Sequence, residues 1–122
     1  MFQLLKKRNN ITINEVKEVL EKKGFDINNP LMWEDKIFSE NSDTNAKWIH
    51  VVLHRSKNYN AEILIVIGNN GSYLGHKTPL IIFSDSDDYG IIRERWRLVF
   101  NSKEHLSEII YDLKNAQLKK VS

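Results

Sequence analysis

Arg93, Arg95 and Arg97 alternate along the run Ile91 to Phe100. In an extended strand such residues share one face and stand about 7 Å apart. That spacing can track a phosphate backbone while Trp48 or Tyr73 stacks on bases. It suits a protein interface equally well, because arginine is enriched there. The plain alternative is a solvated strand face whose arginines pair with cross-strand acids such as Glu62.

Just upstream, Ser84 to Gly90 reads Ser-Asp-Ser-Asp-Asp-Tyr-Gly. Its acids and glycine match the opening of a calcium-binding loop. However, Tyr89 takes a ligand position, and Trp96 stands where the closing bidentate glutamate belongs. An intact calcium site is not expected. The plain reading is a solvated acidic turn. The functional one is an electrostatic contact, through Asp85, Asp87, Asp88 and Tyr89, for a basic partner that would relieve the repulsion among the carboxylates.

The histidines are His50, His54, His76 and His105. His50 and His54 fall on one face of an alternating strand, but four residues of strand span about 13 Å, too far for one ion. No metal site is expected. Pairing of His50 with an acid would supply acid–base chemistry, though nothing in the sequence places the acid. Gly71 to Thr78 echoes a phosphate-binding loop. Its glycines are too close, His76 interrupts it, and Pro79 with Leu80 to Phe83 follows where a helix is required. A strand–loop–strand connection is the better reading. A serine nucleophile elbow is absent. With no cysteine in the chain, disulfides, thiolate metal sites and thiol catalysis are excluded.

Elements with clear local signatures must position these residues. Thr12 to Glu15 forms a capping box, with Ile11 and Val16 at the positions of a hydrophobic staple. Val16, Val19 and Leu20 follow at helical spacing, and Gly24 after Lys22 and Lys23 is a stop signal. A helix is expected from about Ile13 to Lys23. A second is expected after the N-cap Ser102, with Leu106, Ile109, Ile110 and Leu113 facing the core and a frayed tail from Leu118 to Ser122. Between them the period changes to two. Lys47 to Arg55 places Ile49, Val51 and Leu53 on one face and Trp48, His50, Val52 and His54 on the other. Ile63 to Ile67 reads as a central strand, apolar on both faces. Leu80 to Phe83 and Ile91 to Phe100 read as further strands, joined by turns at Asn58 to Asn60 and Gly68 to Gly71. Pro30 to Phe38 reads either as a short helix or as an edge strand.

The fold class is therefore α+β: an antiparallel meander sheet of four to five strands with N- and C-terminal helices packed on one face, in a single domain over residues 1–122. The chain has 122 residues, 41% apolar and 28% charged, which is enough for one core. Its net charge of +2, spread along the chain, argues against a protein built mainly to hold nucleic acid. The order of charge and apolar residues at Met1 to Arg8 is the reverse of a signal peptide, and the longest apolar stretch is too short to span a membrane. A cytoplasmic protein without cofactor is expected.

In size, layout and lack of catalytic motifs the chain resembles many small bacterial immunity or inhibitor proteins. This resemblance is architectural. It implies a non-catalytic protein that binds a toxin domain or other effector through a complementary surface. Candidate contacts are the acidic run Asp85, Asp87, Asp88 and Tyr89, the Trp48, His50 and His54 face, and Arg93, Arg95 and Arg97. The alternatives are a nucleic-acid-binding or phage-type regulator using the arginine strand, a small enzyme built around His50, His54 and Tyr73, and an oligomeric subunit joined through the Trp48 face.

Overall fold

The computed structural model describes residues 11–25, 33–41, 44–68, 71–86 and 90–121, with side chains described for 11–25, 46–68, 71–86 and 90–116. Helix α1 covers Ile13–Lys22. The strands are β1 (Trp33–Asn41), β2 (Thr44–Arg55), β3 (Asn60–Gly68), β4 (Ser72–Tyr73), β5 (His76–Lys77), β6 (Leu80–Ser86) and β7 (Ile92–Val99), and α2 covers Lys103–Val121. β1, β2, β3, β6 and β7 form one antiparallel sheet in that spatial order, and β4 and β5 form a separate hairpin. The expected α+β class with flanking helices is what the chain adopts. Pro30 lies outside the described residues. From Trp33 the ambiguous segment is a strand, and β1 is one edge of the sheet.

Both helices start where their capping residues direct. The Glu15 amide donates to Thr12 Oγ1 at 3.2 Å, and Glu15 Oε1 accepts from the Thr12 amide at 2.9 Å. Ile11 and Val16 of the staple are both buried. At the other end Gly24 takes φ +94°, and the amides of Gly24 and Phe25 donate back to Glu21 and Leu20, closing the last turn on the residue type that accepts this conformation. Ser102 Oγ accepts from the His105 amide at 3.0 Å as the cap of α2. α2 then continues through Leu118 to Val121, the stretch expected to fray.

Cross-strand register shows which residues share a face. One set of rows runs Ile49–Ile65–Ile81–Leu98 and Val51–Ile63–Phe83–Trp96. From these rows Ile49, Ile65, Ile81, Val51, Ile63 and Phe83 form one buried cluster with Val16, Val19 and Leu20 of α1 and with Leu106, Ile109, Ile110 and Leu113 of α2. The opposite face carries Trp48–Val66–Leu80–Val99 and His50–Leu64–Ile82–Arg97. Val66 and Leu80 are fully buried there too, so β3 is covered on both faces at that end, as its unbroken apolar run predicts.

Candidate functional site

Two β-bulges decide which side chains meet. The first is at Leu53, where the register passes from Val52 opposite Glu62 to His54 opposite Ala61. An extra residue in one strand reverses the alternation beyond it. His54 therefore joins the row of Ala61, a member of the helix-side core, and not the face of His50. The expectation that Trp48, His50 and His54 share a face is corrected: Trp48 and His50 do, and His54 lies on the other side. Its ring stands 5.8 Å from that of Tyr59.

The second bulge is at Arg95, between Glu94 opposite Ser84 and Trp96 opposite Phe83. It breaks the expected row of three arginines. Arg93 lies opposite Asp85, on the row of Ala61 and His54, while Arg97 lies opposite Ile82 on the far face. Arg95 Nε donates to Asp85 Oδ1. The same bulge brings Glu94 and Arg97 to one side. Arg97 Nε and Nη2 donate to the two oxygens of Glu94 at 2.7 and 2.6 Å. This fork holds the Glu94 carboxyl below the usual glutamate range and raises the Arg97 guanidinium. The depressed carboxyl keeps its charge at neutral pH and into mild acid, so the clamp is complete there and opens only as pH falls through that lowered value. Both groups are exposed, and the clamp orients Arg97 more than it stabilises the fold. Arg97 Nη1 also meets His76 Nε2 at 2.8 Å, tying the β4–β5 hairpin to β7.

Asp85 departs from the solvated turn expected of it. It lies within β6, is 6% exposed, and accepts from Tyr59 Oη at 2.8 Å as well as from Arg95. Ser86 is buried beside it, its Oγ accepting the Asn60 amide at 2.8 Å. Both oxygens of Asp85 are committed inside the protein. Asp87, Asp88 and Tyr89 lie outside the described residues.

His50 finds the acid that the sequence does not place. Its Nε2 is 3.0 Å from Glu62 Oε1, and both side chains are half-buried. Glu62 thus pairs with His50 and not with the arginines. The pair has the elements of an acid–base couple. The clefts beside α1, between α1 and α2, and along β7 are lined by other residues. No group of three histidine, cysteine or acidic side chains among the described residues is placed to hold a metal ion. None of the described helices is long and apolar enough to cross a membrane.

The feature that sequence reasoning misses is the outer edge of β7. All of its residues are exposed. No described strand pairs with its outer side. Trp96, Leu98 and Val99 are 36%, 42% and 43% exposed, high values for apolar residues of a sheet, and Ile91 and Ile92 are open as well. Trp96 stacks on Phe83 with ring centroids 5.5 Å apart, so its outer face is what remains open. Beside the strand runs a groove of about 480 Å³, with Trp96 and Leu98 on one wall and Ile109, Leu113 and Ala116 of α2 on the other. Asp112 of α2 adds a polar group to its lining, and β7 continues along it at Arg97, whose side chain belongs to the opposite face of the sheet.

No family model, curated protein or solved structure matches the chain. The functional reading therefore stands on this geometry alone.

Proposed function

We propose that this chain is a small non-catalytic protein-binding domain of the immunity or inhibitor type, which binds a toxin domain or other effector and blocks it. The observation that carries the reading is the open β7 edge beside its apolar groove. Contiguous exposed apolar surface on a small domain marks an interaction site more often than scattered single residues do. Here Trp96 and Leu98 expose apolar surface together on the groove side of β7, while Ile92 and Val99 are exposed on the other face of the same strand. Tryptophan and arginine are also the residue types that most often dominate binding energy at protein interfaces.

The working surface is thereby moved from the acidic run to β7, since Asp85 is turned inward and paired. The nucleic-acid alternative rests on three arginines sharing a face, and the bulge at Arg95 places Arg97 on the opposite face from Arg93 while Arg95 is spent on Asp85. A cytoplasmic setting fits a cysteine-free inhibitor.

The test is affinity capture from source lysate, with and without nuclease, using the native chain and a Trp96→Ala/Leu98→Lys variant. Both side chains are already partly exposed, so the variant should keep its circular dichroism spectrum. One stoichiometric protein should be retained by the native chain after nuclease treatment and lost from the variant. Retention that disappears with nuclease, or that the variant leaves unchanged, would overturn the reading.

A further inference from the structure

We infer that β7 binds an extended segment of its protein partner, added as a further strand along Trp96 to Val99, in which apolar residues alternate with acidic ones. This rests on the protein-binding reading above and specifies the chemistry of the partner.

Hydrogen-bond parity comes first. The Phe100 amide donates to the Pro79 carbonyl at 3.0 Å, one residue beyond the Leu80–Val99 pair. In an antiparallel pair both polar groups of a residue point to the same side, and the side alternates along the strand. Leu98 and Trp96 therefore spend their amides and carbonyls on β6. Arg97 and Val99 direct theirs outward, which leaves two donors and two acceptors to the open side. The bulge at Arg95 ends this regular run at its other end. Bulges and charges are how sheet edges are shielded from unwanted pairing. Here the shield covers the first half of β7 and leaves Trp96 to Val99 regular.

Side-chain chemistry then specifies the added strand. Cross-strand neighbours share a face. Residues opposite Leu98 and Trp96 would stand over the groove formed with Ile109, Leu113 and Ala116, and so must be apolar. Residues opposite Arg97 and Val99 would stand on the other face, beside the Arg97 guanidinium. Glu94 already shows that this guanidinium takes a carboxylate in a two-pronged bond. An acidic residue of the partner would compete with Glu94 for it.

A second copy of the chain fits poorly. Pairing about a two-fold axis at Arg97 sets arginine against arginine, and an axis at Trp96 sets Arg97 beside Arg95 of the other copy. The axis at Leu98 avoids both, but then Trp96 meets the position of Phe100, where the strand has ended and the side chain is buried.

The experiment is an NMR titration of the isotopically labelled full chain with an end-blocked octapeptide of alternating valine and glutamate. The control peptide carries lysine in place of glutamate. Saturable shifts are expected at the amides of Trp96 to Val99 and at Ile109, Leu113 and Ala116, with none from the lysine peptide. Glu94→Ala should tighten binding about two- to fivefold by releasing Arg97, and Arg97→Ala should weaken it. Val99→Pro removes an outward amide without touching the ladder to β6, a position where an edge strand tolerates proline. It should abolish binding while Ile81 and Phe83 keep their native shifts. Equal binding of the lysine peptide, shifts centred elsewhere, no saturable shift, or a native chain that sediments as a dimer through β7 would each overturn the inference. Lysate capture that depends on Trp96 and Leu98 but survives Val99→Pro would retain the protein-binding reading and reject strand addition.

Discussion

Asp85 is 6% exposed between β3 and β7, a setting in which a carboxylate must be supplied with donors. Tyr59 Oη and Arg95 Nε supply them, so the residue fastens the edge strand to the sheet. Asp85→Ala should lower stability by about 1–3 kcal/mol, discounted for the partly exposed arginine. Urea unfolding checks this, and an unchanged midpoint would contradict the role. The sequence shows Asp85 only as the first of several acids before a glycine, which reads as a turn. Its burial depends on how far β6 extends, and that is set by pairing with β3 and β7. The two bulges are hidden for a related reason. Leu53 and Arg95 carry no glycine or proline to signal a break in alternation, yet each reverses the facing of the residues beyond it. A strict period of two therefore places His54 beside His50 and lines up three arginines, and both groupings dissolve in the fold. The His50–Glu62 pair is invisible in sequence because its members come from different strands.

At the scale of elements, the β4–β5 hairpin connects β3 to β6 through Leu74 and Gly75. Both have positive φ, 48° and 83°. A two-residue turn of that hand matches the twist of its strands but favours glycine or asparagine at both positions. Leu74 holds the first at a steric cost, and with its side chain 55% exposed it gains little burial in return. Leu74→Gly should raise stability by about 0.5–1 kcal/mol, read as a higher denaturation midpoint. A loss of stability would show that Leu74 makes a contact the fold depends on. Gly68 is constrained from the opposite side, since a Cβ there would lie 2.0 Å from the Ser72 carbonyl oxygen. Gly68→Ala must shift the hairpin, and a loss of about 1–3 kcal/mol is expected by the same denaturation measurement. The helices were the most legible elements because their signals are local: a capping box, an N-cap serine and a stop glycine form the hydrogen bonds expected of them, and both residues of the staple are buried.

For the whole molecule, the meander was legible from the short connections between strands. The sheet order was only partly so. Nothing in Ile91 to Phe100 states that none of the other described strands pairs with its outer side, because that depends on where every other strand pairs. The consequence is large for function. Trp96 and Leu98, two residues apart on the strand, become the wall of an open groove once β7 is an edge. The most direct measurement is photo-crosslinking in nuclease-treated source lysate, with a benzophenone side chain placed at Leu98 in one variant and at Trp48 in another. A single crosslinked protein from position 98, and none from position 48, is the predicted result. Crosslinking from position 48 alone would move the working surface to the opposite face and contradict the central role of β7.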